Sequence, residues 1–173
     1  METTPLRTGG QEETEAVIAR YQSMVYGLAF AKTGSRTDAD DVFQEVFLAY
    51  WNTQKEFRDE EHRKAWLLRT TINLSRRVTA ATPRRKNVPL EDAETLAAPF
   101  RAEEENQVWA ALQSLPEEQR LPIYLFYFED LSTEAIAKAL RLRPGAVRMR
   151  MTRGRERLRA LLKGDYFDES GIV

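Results

Sequence analysis

Apolar residues recur at three- and four-residue intervals along most of this chain. Val17, Ile18, Tyr21, Met24, Val25, Leu28 and Ala29 fall on one face of a helix predicted over residues 11–32. Thr33-Gly34-Ser35 interrupts it. Thr37 or Asp38 is expected to cap the next helix, and Asp40 and Asp41 suit its electropositive end. Val42, Phe43, Val46, Phe47, Ala49 and Tyr50 then form a wide apolar stripe. Asn52 to Glu61 reads as a polar loop in which Phe57 stands out. A third helix is predicted from His62 to Val78, with Trp66, Leu67, Thr70, Ile72 and Leu74 partly inward.

The second half repeats the helical period after a break. Pro83 to Pro99 has three prolines, a basic start, an acidic end and little periodicity, which is the pattern of a linker. A helix resumes near Ala102, with Val108, Trp109, Leu112 and Leu115 apolar. Leu115-Pro116-Glu117-Glu118 reads as a helix start with proline in the first position and acids in the first turn. Pro122 should kink that helix or restrict its first turns. Ile123 to Phe128 is almost wholly apolar and is expected to be buried. Ser132 is placed to cap the next helix, whose Ile136 and Leu140 face inward. Pro144 and Gly145 open the last helix, with Val147, Met151, Leu158, Leu161 and Leu162 on its packed side. No segment alternates as a strand would. The expected fold is all-α: two small helical domains, 11–80 and 101–163, joined by a flexible linker over 81–100. The C-terminal domain is expected to be a helix-turn-helix.

Composition narrows the chemistry. The 173 residues hold 42% hydrophobic residues, enough for a core, and few glycines and prolines, which favours helices. There is no cysteine and a single histidine, His62, so metal clusters and disulfides are not expected. No glycine-rich nucleotide loop and no nucleophile–histidine pairing occurs, so neither an enzyme, a cofactor nor a small-molecule substrate is expected. The N-terminus lacks the apolar core of a signal peptide. No apolar stretch approaches the ~20 residues of a membrane span.

Charge changes the picture more. The net charge is only −1, but it is sorted along the chain. Asp38, Asp40, Asp41 and Glu45, then Asp59, Glu60 and Glu61, precede a stretch without acids from His62 to Leu90. Arg63, Lys64, Arg69, Arg76, Arg77, Arg84, Arg85 and Lys86 all lie there. Acids return at Glu91, Asp92, Glu94 and Glu103 to Glu105, and arginine dominates from Arg141 to Arg159. Two basic blocks separated by acidic ones suggest two polyanion-binding surfaces. On the last helix Arg148, Met149, Thr152 and Arg153 share the face opposite Val147, Met151 and Leu158. Arginine can pair bidentately with guanine, and Met149 and Thr152 offer apolar contact to a thymine methyl. Arg150, Arg155, Arg157 and Arg159 point more sideways or come later, toward phosphates. Gly154 interrupts this helix and should cost about 1 kcal/mol relative to alanine.

Several segments together resemble a known family. They are Asp38 to Trp51, then Ala65-Trp66-Leu67 with Asn73 downstream, Leu115-Pro116-Glu117-Glu118, and Arg153 to Leu158. In this order they resemble the extracytoplasmic-function (ECF) sigma factors of bacterial RNA polymerase, within the sigma-70 family. The resemblance implies a region-2-like domain over 11–80 and a region-4-like domain over 101–163. It implies a cytoplasmic protein that binds core polymerase at its β′ coiled coil and β flap. Such a protein directs the enzyme to promoter DNA, helps melt the −10 element, and is held by an anti-sigma factor. The polymerase-binding residues it implies are Asp38, Asp41, Gln44, Glu45, Phe47 and Leu48. For the −10 element they are Phe57, Arg58, Arg63, Lys64, Arg69, Asn73, Arg76 and Arg77, with Trp51 as a further stacking residue. For the −35 element they are Arg148, Met149, Arg150, Thr152, Arg153 and Arg155. For Phe57, stacking on a base and packing in the core remain equally open; for Trp66, core packing is the better reading.

The linker is just long enough for this arrangement when nearly extended. About 20 residues span at most ~66–72 Å when extended, and boxes about 17 base pairs apart lie ~58 Å apart. The rival reading is a dimeric helix-turn-helix regulator acting without polymerase. It accounts for 101–163 but leaves Asp38 to Arg77 without a role.

Overall fold

The computed structural model describes residues 10–53, 55–81 and 103–162. The expected linker, 81–100, lies outside them except for Ala81, the last residue of the third helix. The described residues form α1 (Gln11–Thr33), α2 (Arg36–Asn52), α3 (Glu60–Ala81), α4 (Glu103–Ser114), α5 (Glu117–Tyr127), α6 (Thr133–Leu140) and α7 (Pro144–Leu162). The fold is all-α. The chain divides into two compact units, Met1–Val88 and Pro89–Val173.

In the first unit each of three helices packs on the other two. Val17, Met24, Val25 and Leu28 of α1 meet Val42, Val46 and Tyr50 of α2 and Leu67, Leu68 and Ile72 of α3 in the core. Gly34 ends α1 in the left-handed region at φ 66°, where a side chain would be strained, and its N–H reaches Phe30 O at 2.8 Å. Ser35, not Thr37 or Asp38, caps α2: its backbone is extended and its Oγ accepts from Asp38 N at 3.3 Å. Thr37 and Asp38 already lie inside the first turn, so neither can turn back to fill this role. Likewise α3 begins at Glu60, earlier than expected, because Asp59 Oδ1 accepts the His62 N–H at 2.7 Å.

In the second unit α5 and α7 form the main packed pair, with α4 and α6 laid against α7. Pro116 stands one position outside α5, in the N-cap place, and its carbonyl accepts from Gln119 and Arg120, both at 2.9 Å. Pro122 lies inside α5 and is buried, and the helix continues through it to Tyr127. Of the run expected to be buried, Ile123, Tyr124 and Leu125 are, while Phe126, Tyr127 and Phe128 are only half-buried. The helical period turns the last residues out of the core. On α7, Val147, Met151, Gly154 and Leu158 form the buried series. Leu161, expected on the packed side, is 54% exposed, because no described element covers the last turn.

Among the described residues no helix is long and apolar enough to cross a membrane, and no group of three or more potential metal ligands occurs.

Candidate nucleic-acid and partner interfaces

The helix-turn-helix is built by two caps and one strained turn. Ser132 Oγ accepts from Ala135 N at 3.1 Å and starts α6. Arg141 ends it in the left-handed region, at φ 55° and ψ 46°. Leu142 N then returns to Ala137 O at 2.8 Å, closing the helix end. Arg143 O accepts from Ala146 and Val147 at 3.0 and 3.2 Å, so α7 starts at once. Because Val147, Met151 and Leu158 face the core, Arg148, Met149, Thr152 and Arg153 come together outward and exposed. Met149 is 56% exposed, so its thioether is available on that face. Thr152 Oγ1 donates to Arg148 O at 3.0 Å, so its hydroxyl hydrogen is engaged by the helix.

Gly154 is not merely a weak helix former. A Cβ there would lie 2.3 Å from Ile123 Cδ1 and 3.3 Å from Gln119 Cβ. The absence of a side chain is what lets α7 sit directly on α5. Arg155 is expected among the −35 contacts, pointing sideways toward phosphates. It is half-buried instead, with Nε donating to Tyr127 Oη at 2.8 Å and its guanidinium 5.5 Å from the Tyr127 ring centre. Arg150 is also half-buried.

On α3, Arg69, Asn73 and Arg77 are exposed at four-residue spacing, with Arg76 half-exposed beside them. Arg58 is exposed and Lys64 half-exposed at the start of the same helix. Two other residues expected to meet DNA are placed differently. Phe57 is fully buried: it stacks on Tyr50 at 6.0 Å and meets the edges of Trp66 and His62 at 5.8 and 5.4 Å. It cannot stack on a base unless it leaves this aromatic cluster. Trp66 packs there too, as the core reading of it required. Arg63 is 6% exposed and is held by two carboxylates. Its Nη2 donates to Glu13 Oε1 at 2.8 Å and its Nη1 to Glu60 Oε1, which leaves it no path to a phosphate. Tyr21 Oη donates to Glu60 Oε2 at 2.6 Å, and Tyr50 Oη to Glu13 Oε1 at 3.4 Å. Burial first, then the hydrogen bond to Glu60, pushes the Tyr21 hydroxyl up to about 12. Burial also pushes Tyr50 up to about 12, opposed by Arg63 and assisted by Glu13. The Glu13–Arg63 pair spans 50 positions, so only the Glu60–Arg63 spacing was visible locally.

On α2, Asp41, Gln44, Glu45 and Leu48 are exposed on one face, Leu48 at 59%, and Asp38 is half-buried. Trp51, 52% exposed, lies three residues beyond Leu48 and extends that face. Phe47 does not belong to it: only 6% exposed, it packs edge-on against Phe43 at 4.9 Å.

Comparison with known proteins places both units. Residues 17–81 match the family described as Sigma-70 region 2, and residues 105–158 match Sigma-70, region 4. The RNA polymerase sigma-H factor of Pseudomonas aeruginosa is 31% identical over 167 residues, covering 87% of this chain and 86% of that one. The ECF RNA polymerase sigma-E factor of Haemophilus influenzae is 30% identical, covering 87% and 88%. Among solved structures, CnrH in complex with the cytosolic domain of CnrY superposes with a TM-score of 0.63. It is 29% identical and covers 91% of this chain and 92% of that one. The chain belongs to the ECF sigma factors of the sigma-70 family.

Proposed function

We propose that this sigma factor docks on core RNA polymerase through the exposed face of α2 and reads promoter DNA with both of its units. Asp41, Gln44, Glu45 and Leu48 supply a face part carboxylate and part apolar, suited to a basic, amphipathic helical partner such as the β′ coiled coil. The α3 stripe of Arg69, Asn73, Arg76 and Arg77, with Arg58 and Lys64, holds the backbone and one base edge of the −10 element as it opens. Arg148, Met149, Thr152 and Arg153 read the −35 element in the major groove. Phe57 and Arg63 shape the −10 surface from beneath and do not touch DNA in this conformation. The protein catalyses no reaction of its own and works in the cytoplasm, where polymerase and chromosome are. An anti-sigma factor would cover the α2 face and α7 and so block both uses. The observation that carries this reading is on α7: Val147, Met151, Gly154 and Leu158 are taken by the core, and Arg148, Met149, Thr152 and Arg153 are left exposed together in its N-terminal half.

The test is gel filtration with core polymerase. The full chain is expected to co-elute with the core enzyme, and Leu48→Asp to release it while leaving the helical signal intact. A chain that elutes as a free dimer, binds its promoter tightly alone and ignores core polymerase would be a conventional regulator.

A further inference from the structure

Arg155 faces the wrong way for a phosphate ligand. It lies three residues after Thr152 and seven after Arg148, so it flanks the stripe that carries them. Its guanidinium nevertheless turns back onto α5. The carbon lies 5.5 Å from the Tyr127 ring centre and 5.7 Å from that of Phe126, and these two rings meet edge to face at 4.9 Å. Nε donates 2.8 Å to the Tyr127 hydroxyl, a hydrogen bond assisted by the charge. One residue earlier, Gly154 lies against Ile123 and Gln119. Successive residues of α7 thus engage successive turns of α5.

The two contacts constrain different movements. The glycine contact lets the helices approach but is apolar and has no direction of its own. The Arg155–Tyr127 bond is directional and weakens steeply when bent. Arg148 is six residues from Gly154, ~9 Å along the helix axis at 1.5 Å per residue. A tilt of ~10° about the glycine contact would move Arg148 by ~1.6 Å over that length. A bidentate pair with a guanine edge does not survive such a shift.

The geometry points to a positioning clamp. Tyr127 and Arg155 set the angle at which α7 presents Arg148, Met149, Thr152 and Arg153 to the DNA, and Arg155 is not a phosphate ligand. This rests on the reading that α7 recognises promoter DNA. The experiment uses polymerase reconstituted with the full chain. The probes are a promoter fragment that the wild-type holoenzyme selects from genomic DNA and the same fragment with its −35 segment scrambled. Binding of both is measured over a salt series.

Tyr127→Phe removes one oxygen, no charge and nothing near the DNA. It should lower the preference for the true fragment by about tenfold, the low end for a lost charge-assisted hydrogen bond. The slope of log affinity against log salt should not change. Arg155→Ala should do the same, and the double variant should be no worse than either single one. A slope smaller by about 0.9 for Arg155→Ala, with Tyr127→Phe silent, is the signature of a lost phosphate contact and would overturn the clamp. Arg153→Ala separates the two levels of the argument. If it abolishes the preference while Tyr127→Phe leaves it unchanged, only the clamp fails. If it too is silent, the assignment of α7 as the reading helix fails, and the clamp with it.

Discussion

The contact at Gly154 makes an unusual stability prediction, because the usual rule for a helical glycine gives the opposite sign. Replacing glycine by alanine inside a helix normally stabilises by about 1 kcal/mol. Here the new methyl would sit 2.3 Å from Ile123 Cδ1, far inside the ~3.5–4.0 Å of carbon–carbon contact. Ile123 is 2% exposed, so its end has little room to move aside. Overpacking of this kind costs about 1–3 kcal/mol. Gly154→Ala should therefore destabilise the second unit by roughly 0–2 kcal/mol net. Ile123→Val deletes the clashing Cδ1 and nothing else, at about 0.5–1.5 kcal/mol. In that background the nearest contact becomes Gln119 Cβ at 3.3 Å, and alanine should be neutral or stabilising. The two substitutions should be coupled by about 1–3 kcal/mol, the double variant being more stable than the sum of its parts. Hydrogen exchange of the α5 and α7 amides in a urea series reports this unit alone. Additivity within about 0.5 kcal/mol would refute the close approach of α7 to α5.

The other predictions concern the ion network and the DNA surface. Arg63→Ala should destabilise the first unit by about 3 kcal/mol, the low end for a broken buried ion pair, since both carboxylates keep about a third of their surface in water. A loss below about 1 kcal/mol in urea unfolding would mean that the network is ornamental. Tyr21, Tyr26 and Tyr50 have hydroxyls raised from 10.0 to about 12, each chiefly by burial. Folding therefore favours their protonated form: this stability is fully present below pH 10, and is lost as the pH rises through about 12. Phenolate absorbance should show these tyrosines ionising late; ionisation of all six near pH 10 in the folded chain would contradict their burial. Arg153→Ala should remove −35 discrimination, whereas Arg159→Ala should mainly flatten the salt dependence. Equal effects of both on all DNA sequences would undo the assigned roles.

Local pattern made most of the fold legible. The helical stripes, Gly34 as a stop, Ser132 as a cap and Pro144 as a start are signals within one or two turns, and the helices lie where these put them. Several of the departures at the site come from contacts that the local helical period does not show. Phe57 in a polar loop looks like an exposed wedge until Tyr50 and Trp66 close over it. Arg63 in an acid-free stretch looks like a phosphate ligand until Glu13 reaches it from α1. Gly154 looks like a defect until Ile123 is seen beneath it. Phe47 counts as both stripe and surface on a helical wheel, and only its contact with Phe43 assigns it to the interior. Residues whose assignment depended on facing outward, such as Asp41, Leu48, Asn73, Met149 and Arg153, are exposed where one helix face required it.

Run-off transcription with core RNA polymerase on genomic DNA fragments tests the central claim most directly. Core enzyme plus this chain should start at a small set of shared promoter sequences, and Arg153→Ala should abolish that selectivity while Arg159→Ala keeps it. Starts no different from those of core enzyme alone, with the chain folded and present in excess, would contradict the account.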